Sequence, residues 1–228
     1  MSRVSTIQTN FTAGELSEEL FGRVDISKYA NGAETIENFI VHPHGGISRR
    51  PGTRFVKEVK TSAAKTRLIP FEFSTTQAYV LEFGNLYIRF YKDQGAILEA
   101  NKTISAAVPP TKANPCVVTA TSHGYSNGDE IYIASVAGMT ELNGKYYKIK
   151  NKATNTFELT NVDDVNINSS SFTTYTSGGT AARVFTLTTT FLTADIPNIQ
   201  FAQSADVLYL AHESYAPKKI SRTAHTSW

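Results

Sequence analysis

The chain has 228 residues, enough for one good-sized domain or two small ones with their own cores, and 22 basic against 20 acidic residues leave a net charge of +2. So weak a field excludes a nucleic acid or an anionic membrane held by global charge, and confines any such contact to a local patch. A lone cysteine, Cys116, excludes an internal disulfide and a thiolate metal site, while 13 Phe and 11 Tyr favour strands over helices.

The opening MSRVSTIQTN lacks the charged-then-apolar order of a signal peptide, and no apolar run approaches the roughly 20 residues that cross a bilayer. The expectation is a soluble intracellular product without a membrane anchor. From Ile26, the apolar positions Ile26, Tyr29, Ala33, Ile36 and Ile40 recur at helical spacing and predict one short amphipathic helix, started by Asp25 or Ser27 and weakened by Gly32. It should end before His42-Pro43, because proline disfavours helical geometry in the residue before it.

After the turn-rich HPHGGISRRPGT comes RLIPFEFSTTQAYVLEFGNLYIRFYK, which predicts three antiparallel strands with Gly84-Asn85 closing a two-residue hairpin. The order recurs from Ile199 in IQFAQSADVLYLAHESYAPKKISRT. Ile69-Pro70-Phe71 aligns with Ile199-Gln200-Phe201, and Tyr79-Val80-Leu81 with Val207-Leu208-Tyr209. Two copies of one meander suggest propeller-like blades, each burying its faces against neighbours. Two cannot close a ring, so either further blades lie in a longer parent chain or other subunits supply the remaining surface, and the longer parent is the favoured expectation.

Between the copies the character changes. CVVTATS, EIYIASV, KYYKIKNK, TFELTNV and AARVFTL have the rhythm of a small antiparallel barrel, bounded by Pro109-Pro110 and Ser177-Gly178-Gly179. The expected organisation is an N-terminal arm and helix over 1–53, a first propeller-like blade region over 54–112, an inserted small β-barrel over 113–183 and a second blade region over 184–228. The fold class is mainly β.

Two stretches resemble known families. The opening FTAGELSEELFGRVDISKYANGAETIENFIVHPHGGISRRPGTRFV is similar to the N-terminal signature of phage tail tubular proteins of the nozzle type, carried by residues such as Phe11, Gly14, Arg23, Asn38, Gly45-Gly46 and Arg50-Pro51-Gly52. The insert TATSHGYSNGDEIYIASVAGMTELNGKYYKIKNKATNTFELTNVD resembles the small β-barrel of ubiquitin-activating enzymes that also occurs inserted in phage tail proteins, through Gly124, Gly128-Asp129, Leu142-Asn143-Gly144 and Thr156-Phe157. FAQSADVLYLAHESYAPKKISRTAHTSW looks like the first-blade region of the nozzle family. The resemblance implies a structural virion protein made in the host bacterial cytoplasm and placed in the tail of a short-tailed phage. It implies a homo-oligomer, a ring of six, that meets a tail adaptor protein and tail fibre or spike proteins and lets double-stranded DNA pass. The ubiquitin connection carries no activity, because no adenylation motif accompanies the barrel.

The sequence offers little chemistry to set against this. His42 and His44 could pair on one face of a strand, yet no cysteine completes a metal set, so an exposed turn pair is favoured. His123 reads as a turn-fixing residue and Cys116 as a small buried hydrophobe. No phosphate loop, HExxH helix or GxSxG elbow occurs, and the acidic pairs Glu18-Glu19 and Asp163-Asp164 point apart. The expectation is therefore no catalytic, cofactor or metal residue and no enzymatic activity. The basic cluster Arg49, Arg50 and Arg54 can clamp carboxylates or the phosphates of passing DNA; strong phosphate binding would hinder ejection, which favours carboxylates, with Glu15, Glu18 or Glu19 as candidate partners across a subunit interface or within the chain. The alternative function, from another class, is a module that binds a host surface or fibre without a channel role.

Overall fold

The computed structural model describes residues 7–74 and 77–228, so the first six positions of the expected arm and two in a predicted turn lie outside the described residues. The protein is mainly β and divides into two compact units, Met1–Phe55 and Val56–Trp228.

In the first unit, β1 (Gly14–Glu15) pairs in parallel with β2 (Gly32–Ala33), and β3 (Phe39–Val41) forms a hairpin with β4 (Ile47–Arg49). The predicted amphipathic helix does not form. Tyr29–Asn31 is a single 3-10 turn, and Gly32 then goes extended at φ −108° and ψ 171°. A Cβ at Gly32 would lie 2.5 Å from Leu16 Cγ, so the glycine in mid-stripe allows close strand contact rather than weakening a helix. Asp25 is taken up by Arg23, in two bonds of 2.8 and 2.6 Å, instead of capping a helix. Asn38, at φ 63°, breaks the helical path again. A helix of this length is marginal in water without a surface to bury its stripe, and here Ile40 is 47% exposed.

The second unit begins with β5 (Arg67–Ser74), β6 (Gln77–Gly84) and β7 (Tyr87–Lys92), the predicted meander, followed by the short β8 (Gly95–Ala96) and β9 (Lys102–Thr103). The tight turn is Asn85-Leu86, one residue later than the composition suggested, with Gly84 paired to Tyr87 inside the ladder. Gly84 is needed there for a different reason: a Cβ would sit 2.1 Å from the Tyr87 ring. Leu86 takes the left-handed turn position at φ 64°, and its N–H donates to Phe191 O at 2.8 Å.

Next come β10 (Val117–Thr119), β11 (Glu130–Ala137), β12 (Lys145–Lys150), β13 (Thr156–Thr160) and β14 (Ser177–Arg183). They assemble with β9 into a curled six-stranded sheet of order β10-β13-β12-β11-β14-β9. All five predicted strands are present, but the sheet curls without closing by a ladder; Ser105 N–H to Thr119 O, at 2.8 Å, ties its two ends. The sheet recruits β9 from upstream of residue 113, and Ile104, immediately after β9, is buried in its core. That core, which includes Val118, Ile131, Ile133, Leu142, Phe157 and Leu159, sits on the concave side.

Finally β15 (Thr186–Thr188) extends the first meander beside β7, and β16 (Gln200–Ser204), β17 (Val207–His212) and β18 (Tyr215–Ser221) form the second meander. The two meanders share one core: Ile69, Phe71, Tyr79 and Leu81 of the first meet Ile199, Leu208, Leu210 and Ile220 of the second. Trp228 seals it, stacking on Phe90 with 4.4 Å between ring centres. The sequence repeat is therefore also a repeat of structure, though its alignment slips by one in the second strand. Leu208 and Leu210 are the buried pair equivalent to Tyr79 and Leu81, while Tyr209 is half exposed. The irregularity between Glu72 and Ser74 accounts for the shift, since side-chain facing alternates along a strand and one extra residue reverses it. The described residues form no closed propeller.

Candidate functional site

The first unit has almost nothing to hold it together by burial. Among its described residues only Gly32 and Gly45 are buried, whereas Ile7, Val24 and Phe55 are 84%, 82% and 76% exposed and Phe21, Phe39 and Ile40 are 42%, 47% and 47% exposed. Its order comes from polar fastenings. Arg50 donates its backbone N–H to Asn38 O at 2.8 Å and its guanidinium to Asn38 Oδ1 at 3.1 Å. Glu15 accepts from the Ile36 N–H at 2.8 Å, and Ser17 caps the 3-10 turn that carries Glu18 and Glu19. The predicted residues thus share a unit, but Arg50 is clamped by an asparagine and Glu15 by backbone. Glu18, Glu19, Arg49 and Arg54 are exposed. His42 and His44 stack at 5.2 Å, and His42 meets Ser48 Oγ at 2.8 Å. An open cleft of about 940 Å³ is lined by Ile7, Leu16, Phe21, Tyr29 and Ala33 among others.

The second unit holds a feature the sequence reading missed. On the outer face of the first meander Glu82 and Arg89 are cross-strand partners, both 1% exposed. Arg89 Nη2 lies 3.0 Å from Glu130 Oε2 at the start of β11, and the same oxygen receives the Lys57 ammonium, which also sits 4.0 Å from the centre of the Tyr146 ring. Glu82 accepts from the Tyr87 and Tyr91 hydroxyls and, at 3.4 Å, from the Lys60 N–H. Beside this group, Arg183 bridges Glu99 at 2.8 Å and Asp129 at 3.0 Å. Lys60, Arg89, Arg183, Glu99, Asp129 and Glu130 line a polar cavity of about 260 Å³, with Lys57 joined to it through Glu130 and Glu82 through the Lys60 N–H.

Charge balance makes this burial tolerable, because each ion loses hydration and regains it only through partners. Burial lowers the Lys57 pKa against the pull of Glu130, and lowers that of Lys60 with help from nearby Arg89. Arg89 loses hydration too, yet Glu130 raises its pKa. Tyr87 and Tyr91 are pushed far above the ordinary tyrosine range by burial and by donating to Glu82. Such a network adds little net stability over a hydrocarbon joint, and its centre is held by charge more than by hydrogen bonds, since Arg89 Nε and Nη1 and Glu130 Oε1 have no hydrogen-bond partner among the described residues. The available signal was the pair Glu82 and Arg89 standing alone in apolar strands. By alternation both face away from the meander core, and there the segment around Lys57 and Lys60 covers them.

Within the curled sheet, His123 fixes a turn. Its Nδ1 accepts from the Tyr125 N–H, and its Nε2 lies 3.0 Å from Ala153 O. Cys116 is fully buried, and desolvation raises its thiol pKa, which suits a packing residue better than a nucleophile. No group of three or more metal-ligand side chains occurs among the described residues.

Residues 113–184 match the family model of the Ubiquitin-activating enzyme E1 FCCH domain. The match covers β10 to β14 and supports the reading of this segment as a small inserted β-module. A search of curated proteins returned no match to the chain. The matched segment is less than half of the 228 residues, so the likeness describes the inserted module.

Proposed function

We propose that this chain is a structural subunit of a short-tailed phage tail nozzle, in which the N-terminal unit is an assembly arm and the meanders form part of a blade-built wall. One observation carries the architectural reading: among the described residues of the first unit only two glycines are buried, while six large apolar residues are presented to solvent. A segment of this size cannot offset its ordering entropy without apolar burial, and exposed apolar patches mark association surfaces. The phage assignment rests on the resemblance of the opening segment and of the closing meander to the nozzle family. It brings with it a ring of like subunits, an adaptor on one side, fibres outside and DNA passing through.

Arg50→Ala tests this reading, because it removes the fastening on Asn38 without touching the core of the second unit. Incorporation into tails, measured as subunit content of purified particles, should be lost while the purified chain stays folded. Lys152→Ala, at an exposed turn of the inserted module, should incorporate normally. Normal incorporation of the Arg50 variant reduces the cluster to a solvated turn. A chain that stays monomeric at every concentration and retains a glycan or fibre favours the binding-module alternative.

A further inference from the structure

The inserted sheet and the paired meanders have separate apolar cores, and between them lie the charged group described above and a few backbone bonds, such as the Leu98–Val184 bridge and Phe185 N–H to Ile97 O. Residues 51–59 form neither helix nor strand, yet two lysines of this stretch and its end are drawn inward. Lys57 reaches the inserted sheet, at Glu130 and the Tyr146 ring. Lys60 reaches the first meander, through its N–H to Glu82 and its ammonium 5.2 Å from the centre of the Tyr87 ring. Further along, a gap of about 280 Å³ separates residues 58–63 from Lys148 and the turn at Val162–Asp164.

We propose that residues 57–60 are a charged strap that locks the inserted sheet against the first meander, and that withdrawing Lys57 unlocks the inserted module as one body. The strap is pegged at its two lysines and otherwise loosely laid, so it can lift without unfolding either core. Lifting it leaves Glu130 with Arg89 alone and lets water reach these two buried charges and hydrate them. A hydrocarbon joint would resist that step, whereas a charged one exchanges protein partners for solvent. Lys57 follows the N-terminal unit by a single residue, Val56, so load taken up by that unit reaches this peg first. Module orientation thereby becomes sensitive to whether the N-terminal unit is engaged. The inference stands on the geometry of Val56–Trp228 and does not depend on the nozzle reading.

The test measures distances between spin labels in the full chain, one at Leu68→Cys on the first meander and one at Lys152→Cys on the inserted module. The parent should give a single narrow distribution. In Lys57→Met its width should increase about twofold or more, as expected when a packed joint becomes a hinge, while aromatic circular dichroism stays native. Lys57→Arg, which keeps the charge, should restore the narrow distribution. If Lys57→Met does not fold, Lys60→Met, which removes the ammonium beside the Tyr87 ring and keeps the Lys60 N–H on Glu82, should show the broadening. A parent-like width in a folded Lys57→Met, or in Lys60→Met where the first variant is unfolded, overturns the proposal, as does failure of Lys57→Arg to restore it.

Discussion

The N-terminal unit and the inserted sheet are built from similar short strands and tight turns, but they solve the stability problem in opposite ways. The inserted sheet folds around 15 buried apolar residues, with Phe157 ringed by His123 and Tyr125. The N-terminal unit has two buried glycines and a set of hydrogen bonds among side chains and backbone. Strand pairing alone does not make a self-sufficient fold, since each backbone bond formed replaces one to water; apolar burial supplies the surplus. One region can stand as a module, while the other has its apolar side chains still to place.

Alkali should break the second unit most completely. Tyr87, Tyr91 and Tyr147 have pKa values raised far above 10.0 by burial, and Tyr125 is pushed up to about 12. The folded state holds these protons more tightly than the unfolded chain. Their stabilisation is therefore complete below pH 10.0 and is lost as pH rises from there through the folded values. Lys57 and Lys60 act in the opposite sense below 10.5, because burial lowers their folded values. Tyrosinate absorbance and circular dichroism should change together above pH 10; ionisation of all tyrosines in a still-folded protein would refute the burial assignments.

A core truncation sharpens the comparison further. Phe157→Ala should cost about 3–5 kcal/mol in urea unfolding, by lost transfer energy and the cavity left behind. Phe39→Ala in the N-terminal unit, where the side chain is 47% exposed, should stay within about 0.5 kcal/mol. Equal costs would mean that both units rest on comparable cores.

His123→Ala is the intermediate case. It leaves the Tyr125 N–H and Ala153 O without their partner inside the module and should cost about 1–3 kcal/mol. Gln in its place keeps a bonding group and should recover part of the loss. The smallest effect belongs to the exposed Arg23–Asp25 pair, whose side chains are 55% and 63% exposed. Asp25→Asn should leave the urea midpoint unchanged, and a measurable shift would show that this pair orders the first unit.

Alternation and turn chemistry were enough to read both meanders, the inserted strands and the turn role of His123 from the sequence, because each depends on residues close in the chain. The helix over Ile26–Ile40 failed because a periodic stripe is only an offer of burial: no surface accepts it, and Gly32 is used for close strand contact. The repeat register slipped for a local reason, the irregularity after Glu72, that composition does not announce. Arg50 found Asn38 rather than a glutamate, because the positive φ of Asn38 turns the chain back toward it.

What the sequence determined by itself is the β character, the order of the modules and the lack of a strong overall charge. Only tertiary structure decided that Glu82 and Arg89 are buried, since outward-facing charges are solvated unless a distant segment covers them, and here Lys57 and Lys60 do. Local periodicity fixes which way a side chain points; what it meets there is set by chain returning from elsewhere.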